Sequence, residues 1–127
     1  MTLLDSFAWF EYFHGTKRGE RVRALLEGAG SLFTSPLVLA EITSKVTRVE
    51  GAGKAAERLA FVLAHSAVIP VDETIGIEAG QIHAHERKTK RDFGMVDAVI
   101  LASARSRGVS VLTGDPHFKG LSDADLL

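Results

Sequence analysis

The chain contains no cysteine, which excludes disulfides and thiolate metal sites. No apolar run approaches the roughly 20 residues of a membrane-spanning helix, so no membrane association is expected. The N-terminus carries no basic segment ahead of an apolar run, so no signal peptide is expected either. These absences fit a cytoplasmic protein. The net charge is only −1, so no global basic field marks a nucleic-acid binder, although a neutral total can hide separated patches. No internal repeat, low-complexity segment or linker divides the chain. What is left is one domain, residues 1–127, with 46% hydrophobic and 24% charged residues, enough for a real core.

Short β-rich runs alternate with helical stretches. Thr2–Leu4 is a minimal strand ending at Asp5, and Ser6 can cap a helix through Trp9, Phe10 and Phe13. A second helix is expected over Lys17–Glu27, with Val22, Leu25 and Leu26 as its apolar side, and a second strand over Ser31–Thr34. Ser35–Pro36 is a strong helix start for a run to about Glu50. Lys54–His65 is a further helix with Leu59, Val62 and Leu63 facing in. Val68–Val71 is a third strand, placed at an edge by Pro70. Asp72 caps a long helix from about Glu73 to Lys90.

The stretch from Phe93 to Asp115 then combines a nearly all-apolar helix, a glycine stop at Gly108, a strand over Val109–Leu112 and a turn at Gly114–Asp115–Pro116. Leu126–Leu127 can be the stub of a fifth strand. The pattern predicts an α/β fold, a parallel sheet of four to five strands with helices on both faces. In such sheets, ligands bind beyond the carboxyl ends of the strands, where strand order reverses. If the first and fourth strands are neighbours, Asp5 and Asp115 meet there.

Four acids are candidates for a site: Asp5, Glu41, Asp97 and Asp115. Each has a bland alternative. Asp5 can simply cap the first helix, Glu41 can pair with Lys45 one turn on, Asp97 suits a first helical turn, and Asp115 suits a turn before proline. Their joint placement is the stronger signal. Carboxylates gathered together repel one another unless a cation sits among them. Hard oxygen ligands with open positions suit Mg²⁺ or Mn²⁺, which can polarise a phosphodiester and activate a water.

Four segments in order carry a resemblance: Leu4–Asp5–Ser6, Leu39–Ala40–Glu41–Ile42, Val96–Asp97–Ala98 through Ala104, and Leu112–Thr113–Gly114–Asp115–Pro116–His117–Phe118. Together they resemble PIN-domain ribonucleases, most of all the VapC toxins of toxin–antitoxin (VapBC) pairs. The resemblance implies a three-layer α/β/α domain with strand order 3-2-1-4-5. It implies that Asp5, Glu41, Asp97 and Asp115 surround one or two Mg²⁺ or Mn²⁺ ions, with Thr113 and Ser6 hydrogen-bonding the quartet. It implies an RNA substrate, a VapB-like antitoxin that blocks the site, and a homodimer. The chain departs from the pattern in stopping early after Asp115, which puts the pairing of its fifth strand in question. It also has an extra acid, Asp92, placed to cap the Asp97 helix or act as an outer ligand.

The mechanism expected has Asp5, Asp97 and Asp115 holding metal while Glu41 orients or deprotonates the attacking water, leaving 5′-phosphate and 3′-hydroxyl ends. RNA phosphates need cations. Arg87, Lys88, Lys90 and Arg91, leading into the Asp97 helix, are the better candidates; Lys17, Arg18, Arg21 and Arg23 are the other cluster. His83 and His85 point to different helix faces, and all five histidines read as structural or surface residues, with His117 a minor candidate. Trp9, Phe10 and Phe13 read as core or a dimer seam rather than a base-stacking platform. Competing readings are an aspartyl-phosphate phosphotransferase, against which Asp5–Ser6–Phe7 lacks a second aspartate, a non-catalytic binding module, and a housekeeping RNA-processing nuclease.

Overall fold

The structure is a computed structural model describing residues 1–127. Its strands are β1 (Thr2–Leu4), β2 (Leu32–Thr34), β3 (Ala67–Val68), β4 (Ser110–Thr113) and β5 (Ala124–Leu126). Its helices are α1 (Ser6–Phe13), α2 (Gly19–Glu27), α3 (Pro36–Glu50), α4 (Ala52–His65), α5 (Glu73–Glu86) and α6 (Met95–Ser106), with a 3₁₀ turn at Pro116–Phe118. The sheet is wholly parallel in the order β3-β2-β1-β4-β5. The fifth strand therefore pairs in full: β5 runs beside β4, and the Leu127 N–H donates to the Thr113 carbonyl at 2.8 Å.

The central strands are apolar because helices cover both faces of a parallel sheet. Leu3, Leu4, Val111 and Leu112 are all buried. On α3, Val38, Ile42 and Val46 recur every fourth residue and are buried, which leaves Glu41, Lys45 and Arg48 on the exposed side. The core face of α6 is broad, with Ala98 and the whole run Ile100–Ala104 buried, so trimming Leu101 to alanine costs roughly 2–5 kcal/mol. Trp9 is fully buried, stacks on Phe13 and meets Phe61 edge-on. It belongs to the core rather than to any surface.

Several boundaries differ from the sequence reading. The α1 cap is Asp5, whose side chain accepts the Ala8 N–H at 3.0 Å, and Ser6 is the first helical residue. Helix α2 begins at Gly19, not Lys17. That glycine lies so close to α1 that a Cβ would stand 2.4 Å from the Glu11 carbonyl oxygen. On α4, Leu63 faces outward, 51% exposed, because Ala55 and Val62 define the buried side. Strand β3 starts at Ala67 and ends before Ile69–Pro70, since proline has no N–H to continue the ladder. Helix α5 stops at Glu86, and turns carry the chain to α6.

The chain leaves β1 toward β2 and β3 and later returns to place β4 on β1's other side. The reversal of order falls between β1 and β4. Leu4 is in register with Leu112, and the Asp5 N–H donates to the Leu112 carbonyl at 3.2 Å. The carboxyl ends of these two strands thus open on one crevice.

Candidate active site

Asp5 is the floor of that crevice. It is only 5% exposed, because β1 delivers it straight from the core into the cap position of α1. Burial pushes its carboxyl up to about 7, against the stabilising hydrogen bonds from the Thr113 hydroxyl and the Ala8 N–H; the charges of Glu41 and Asp115 push it the same way. Thr113 joins two of the acids: its hydroxyl bonds Asp5, and its oxygen accepts the Asp115 N–H at 2.9 Å.

Glu41 reaches the crevice from the solvent side of α3. Its Oε1 accepts the Ser6 hydroxyl at 3.1 Å. No Glu41–Lys45 ion pair forms; Lys45 instead lies over the Phe10 ring, 4.4 Å from its centre. Partial burial raises the Glu41 pKa against the Ser6 hydrogen bond, and the charges of Asp97 and Asp115 raise it further.

Asp97 stands in the first turn of α6 and turns back to accept the Gly94 N–H at 3.0 Å, the reciprocal half of a capping box. Its pKa is also raised by burial, opposed by that hydrogen bond; Asp115 raises it and His117 lowers it. Asp115 follows β4 and caps the 3₁₀ turn through the His117 N–H at 2.9 Å. Gly114 before it lets the Phe7 ring approach closely: a Cβ there would stand 2.1 Å from the ring, which would have to shift.

All four sequence candidates therefore lie at the switch point, and Asp5, Glu41 and Asp97 are each raised by the charge of at least one other acid. Ser6 hydrogen-bonds Glu41, and Thr113 hydrogen-bonds Asp5 and Asp115. Asp92 does not cap α6: Gly94 holds that position, and Asp92 is exposed. Lys90 is not a free cation. Its ammonium donates to the carbonyls of His117 at 3.1 Å and Lys119 at 2.9 Å, and pairs with Glu86 at 3.5 Å. It fastens the turn that carries Asp115. Arg87, Lys88 and Arg91 remain exposed.

His117 is the residue the sequence reading undervalued. Its Nδ1 lies 3.1 Å from Asp115 Oδ1 and 3.7 Å from Asp97 Oδ2. That nitrogen is buried yet has no hydrogen bond of proper geometry. The available signal was its place two residues after Asp115, in the turn that Asp115 caps.

This donor set fits a divalent cation. Asp97, Asp115 and His117 each offer an atom within 4.8 Å of the others, a spacing one ion can bridge. The raised acids and the orphaned imidazole nitrogen are what a cation among them would relieve. Carboxylate oxygens dominate, as Mg²⁺ and Mn²⁺ prefer. No helix is long and apolar enough to cross a membrane.

Comparison with known proteins adds to this geometry. No curated protein matches the sequence. Among solved structures, the chain is similar to Mycobacterium tuberculosis VapC20, described as a sarcin–ricin loop cleaving toxin, at 22% identity and a TM-score of 0.78, covering 97% of this chain and 96% of that one. It is similar to a chain of DNA-bound VapBC from Salmonella typhimurium at 20% identity and a TM-score of 0.77, covering 99% and 96%. It is also similar to a chain of FitAcB from Neisseria gonorrhoeae at 22% identity and a TM-score of 0.73, covering 100% and 96%. The PIN-domain family model matches residues 2–123. With four acids at the β1/β4 switch point and that match over nearly its whole length, the chain belongs to the PIN-domain family.

Proposed function

We propose that this protein is a Mg²⁺- or Mn²⁺-dependent endoribonuclease, the toxin of a VapBC-type toxin–antitoxin pair. The observation that carries the reading is the convergence of Asp5, Glu41, Asp97 and Asp115 in one crevice, three of them with raised pKa values. Asp5, Asp97 and Asp115 would hold one or two ions, with His117 Nδ1 at the rim. When bound, the metal supplies Lewis-acid polarisation of the phosphodiester.

The chain's own groups supply the rest. Ser6 occupies Oε1 of Glu41, which leaves the other oxygen for the attacking water, and the upward shift of its pKa by partial burial makes it a stronger base than a free carboxylate. Glu41 takes a proton as water attacks phosphorus in line. The P–O3′ bond breaks, and the departing 3′-oxygen takes a proton from solvent water. Water, not the 2′-hydroxyl, is the nucleophile, so the products carry 5′-phosphate and 3′-hydroxyl ends. Thr113 holds Asp5 and Asp115 at fixed separation, and Lys90 anchors the turn that positions Asp115 and His117. Arg87, Lys88 and Arg91, exposed beside the site, would serve as outer phosphate contacts. A VapB-like antitoxin is the expected partner, as the neighbours described as VapBC suggest, and a cytoplasmic homodimer is the expected state.

The test is cleavage of total RNA by the purified, antitoxin-free protein with Mg²⁺ or Mn²⁺, against EDTA and Asp97→Asn, with end chemistry mapped. Discrete metal-dependent cuts leaving 5′-phosphates, lowered at least about 10²–10³-fold in the variant, are expected. A 2′,3′-cyclic phosphate product, or full activity in Asp97→Asn, overturns the mechanism.

A further inference from the structure

A groove of about 390 Å³ runs between α1 and α3 and opens on the acid cluster; Ser6, Phe10, Glu41, Ser44, Lys45 and Arg48 line it. Ser6 and Glu41 belong to both, so the groove continues the crevice rather than forming a separate cavity. Its volume lies at the low end of the ~300–1,000 Å³ of ligand clefts, and five of its seven lining residues are polar or charged, beside Phe10 and Ala40.

Three features give the groove a chemistry. From Glu41 to Arg48 the exposed side of α3 runs about 10 Å at 1.5 Å per residue, changing along the way from an acid to two cations. Neither Lys45 nor Arg48 is in an ion pair. Opposite them, α1 contributes Phe10, half-buried, with Lys45 over its ring face. An acidic crevice cannot hold a polyanion by itself; the strand needs cations beside the place where the reaction occurs. Cations facing an aromatic ring are the equipment for single-stranded nucleic acid, with phosphate on the charge and a base on the ring.

We propose that this groove holds the single-stranded RNA next to the scissile phosphate, with its phosphates on Lys45 and Arg48 and one base against Phe10. The assignment rests on the nuclease reading above and names its substrate path. It replaces the Arg87–Arg91 segment as the main RNA contact, because the groove's cations adjoin Glu41 while Lys90 is tied to the protein's own carbonyls. Lys45 leaves the Phe10 face when a phosphate arrives, and the ring face becomes free for a base.

The test measures binding of a fluorescein-labelled, single-stranded RNA of mixed sequence to the Asp97→Asn protein across a salt series. Adding Lys45→Gln and Arg48→Gln together is expected to lower affinity at least about tenfold and to reduce the salt slope by about 1.4, that is ~0.7 for each of two phosphate contacts. Phe10→Leu is expected to lower affinity about fivefold or more with the slope unchanged, its folding checked by thermal melting. With 4-thiouridine in the RNA, crosslinks should map to the peptides carrying Phe10 and Ser44–Arg48.

Unchanged affinity and slope in the double variant overturn the groove assignment. If the wild type still cleaves RNA with Mn²⁺, the nuclease reading survives that result alone. If no form binds RNA and the wild type cleaves nothing, both fall. Unchanged RNA binding with an altered oligomeric state in the double variant reassigns the groove to a second copy of the chain.

Discussion

The acid cluster has two halves that are built differently. Asp5, Ser6 and Glu41 form one half. Asp5 is fixed by the end of β1 and its own cap hydrogen bond, and Glu41 by its place on α3 and the Ser6 hydroxyl. Asp97, Asp115 and His117 form the other. Two of these three sit on a short turn after β4, which is held by Lys90 from 27 residues away. In the first half Asp5 is buried, and each acid is anchored by its own side-chain hydrogen bond. In the second all three residues are half-buried, and the turn that carries Asp115 and His117 is fastened by one side chain tied to two backbone carbonyls. Disturbing the first half should change charge and stability, and disturbing the second should change how well a cation is held.

The sharpest separation is expected from Asp5→Asn. Cleavage should fall at least about 10²–10³-fold, yet the metal-free protein should become more stable by a few kcal/mol at about pH 8. The sign follows from the shift. The folded-state pKa of about 7 lies above the ordinary 3.8, so folding takes up a proton. The associated stability is complete below about pH 4 and is lost as pH rises through about 7. Denaturant unfolding of the metal-free wild type and of Asp5→Asn across this range checks it. If the two proteins show the same pH dependence, Asp5 is not the strained, buried acid described.

Lys90→Met is the matching test of the other half. It should weaken Mn²⁺ binding about 10- to 100-fold, as loss of a support outside the ligands does, with Lys90→Arg recovering part of it. The pH dependence of metal-free stability should stay as in the wild type. If Lys90→Met leaves Mn²⁺ affinity unchanged, the turn is held by something else and the contrast between the halves fails.

The smallest effect is expected outside both halves. Arg87→Gln with Lys88→Gln should lower RNA affinity only about two- to threefold at physiological salt, because exposed charges at a distance are screened. A loss as large as that of the Lys45/Arg48 pair would make the α5–α6 rim an equal partner of the groove.

The halves also differ in how far they could be read from sequence. Asp5 was legible because an apolar strand ends on it, and Glu41 because an acid stands beside the apolar stripe of α3. Asp97 and Asp115 were legible as positions, and the family resemblance ordered all four. The choice between Ser6 and Asp5 as cap was not legible, since two consecutive residues can both accept from the first helical turn. His117 looked isolated because only the fold of the turn aims its ring at Asp97. Lys90 looked like one cation among four. Its partners are main-chain carbonyls, which leave no trace in a charge pattern. The same holds for β5: Ala–Asp–Leu has little strand signal, and the strand exists because β4 offers it an edge.

The central claim is that the four acids form a divalent-cation centre rather than an array of structural carboxylates. Calorimetric titration of Mn²⁺ into the protein near neutral pH, repeated in buffers of different ionisation enthalpy, tests it most directly. The account predicts saturable binding with proton release, because the cation displaces the proton that burial keeps on Asp5. Proton release should disappear in Asp5→Asn, and binding itself should collapse in Asp97→Asn and Asp115→Asn. Absence of binding in the folded wild type, or binding unaltered in those variants, would contradict it.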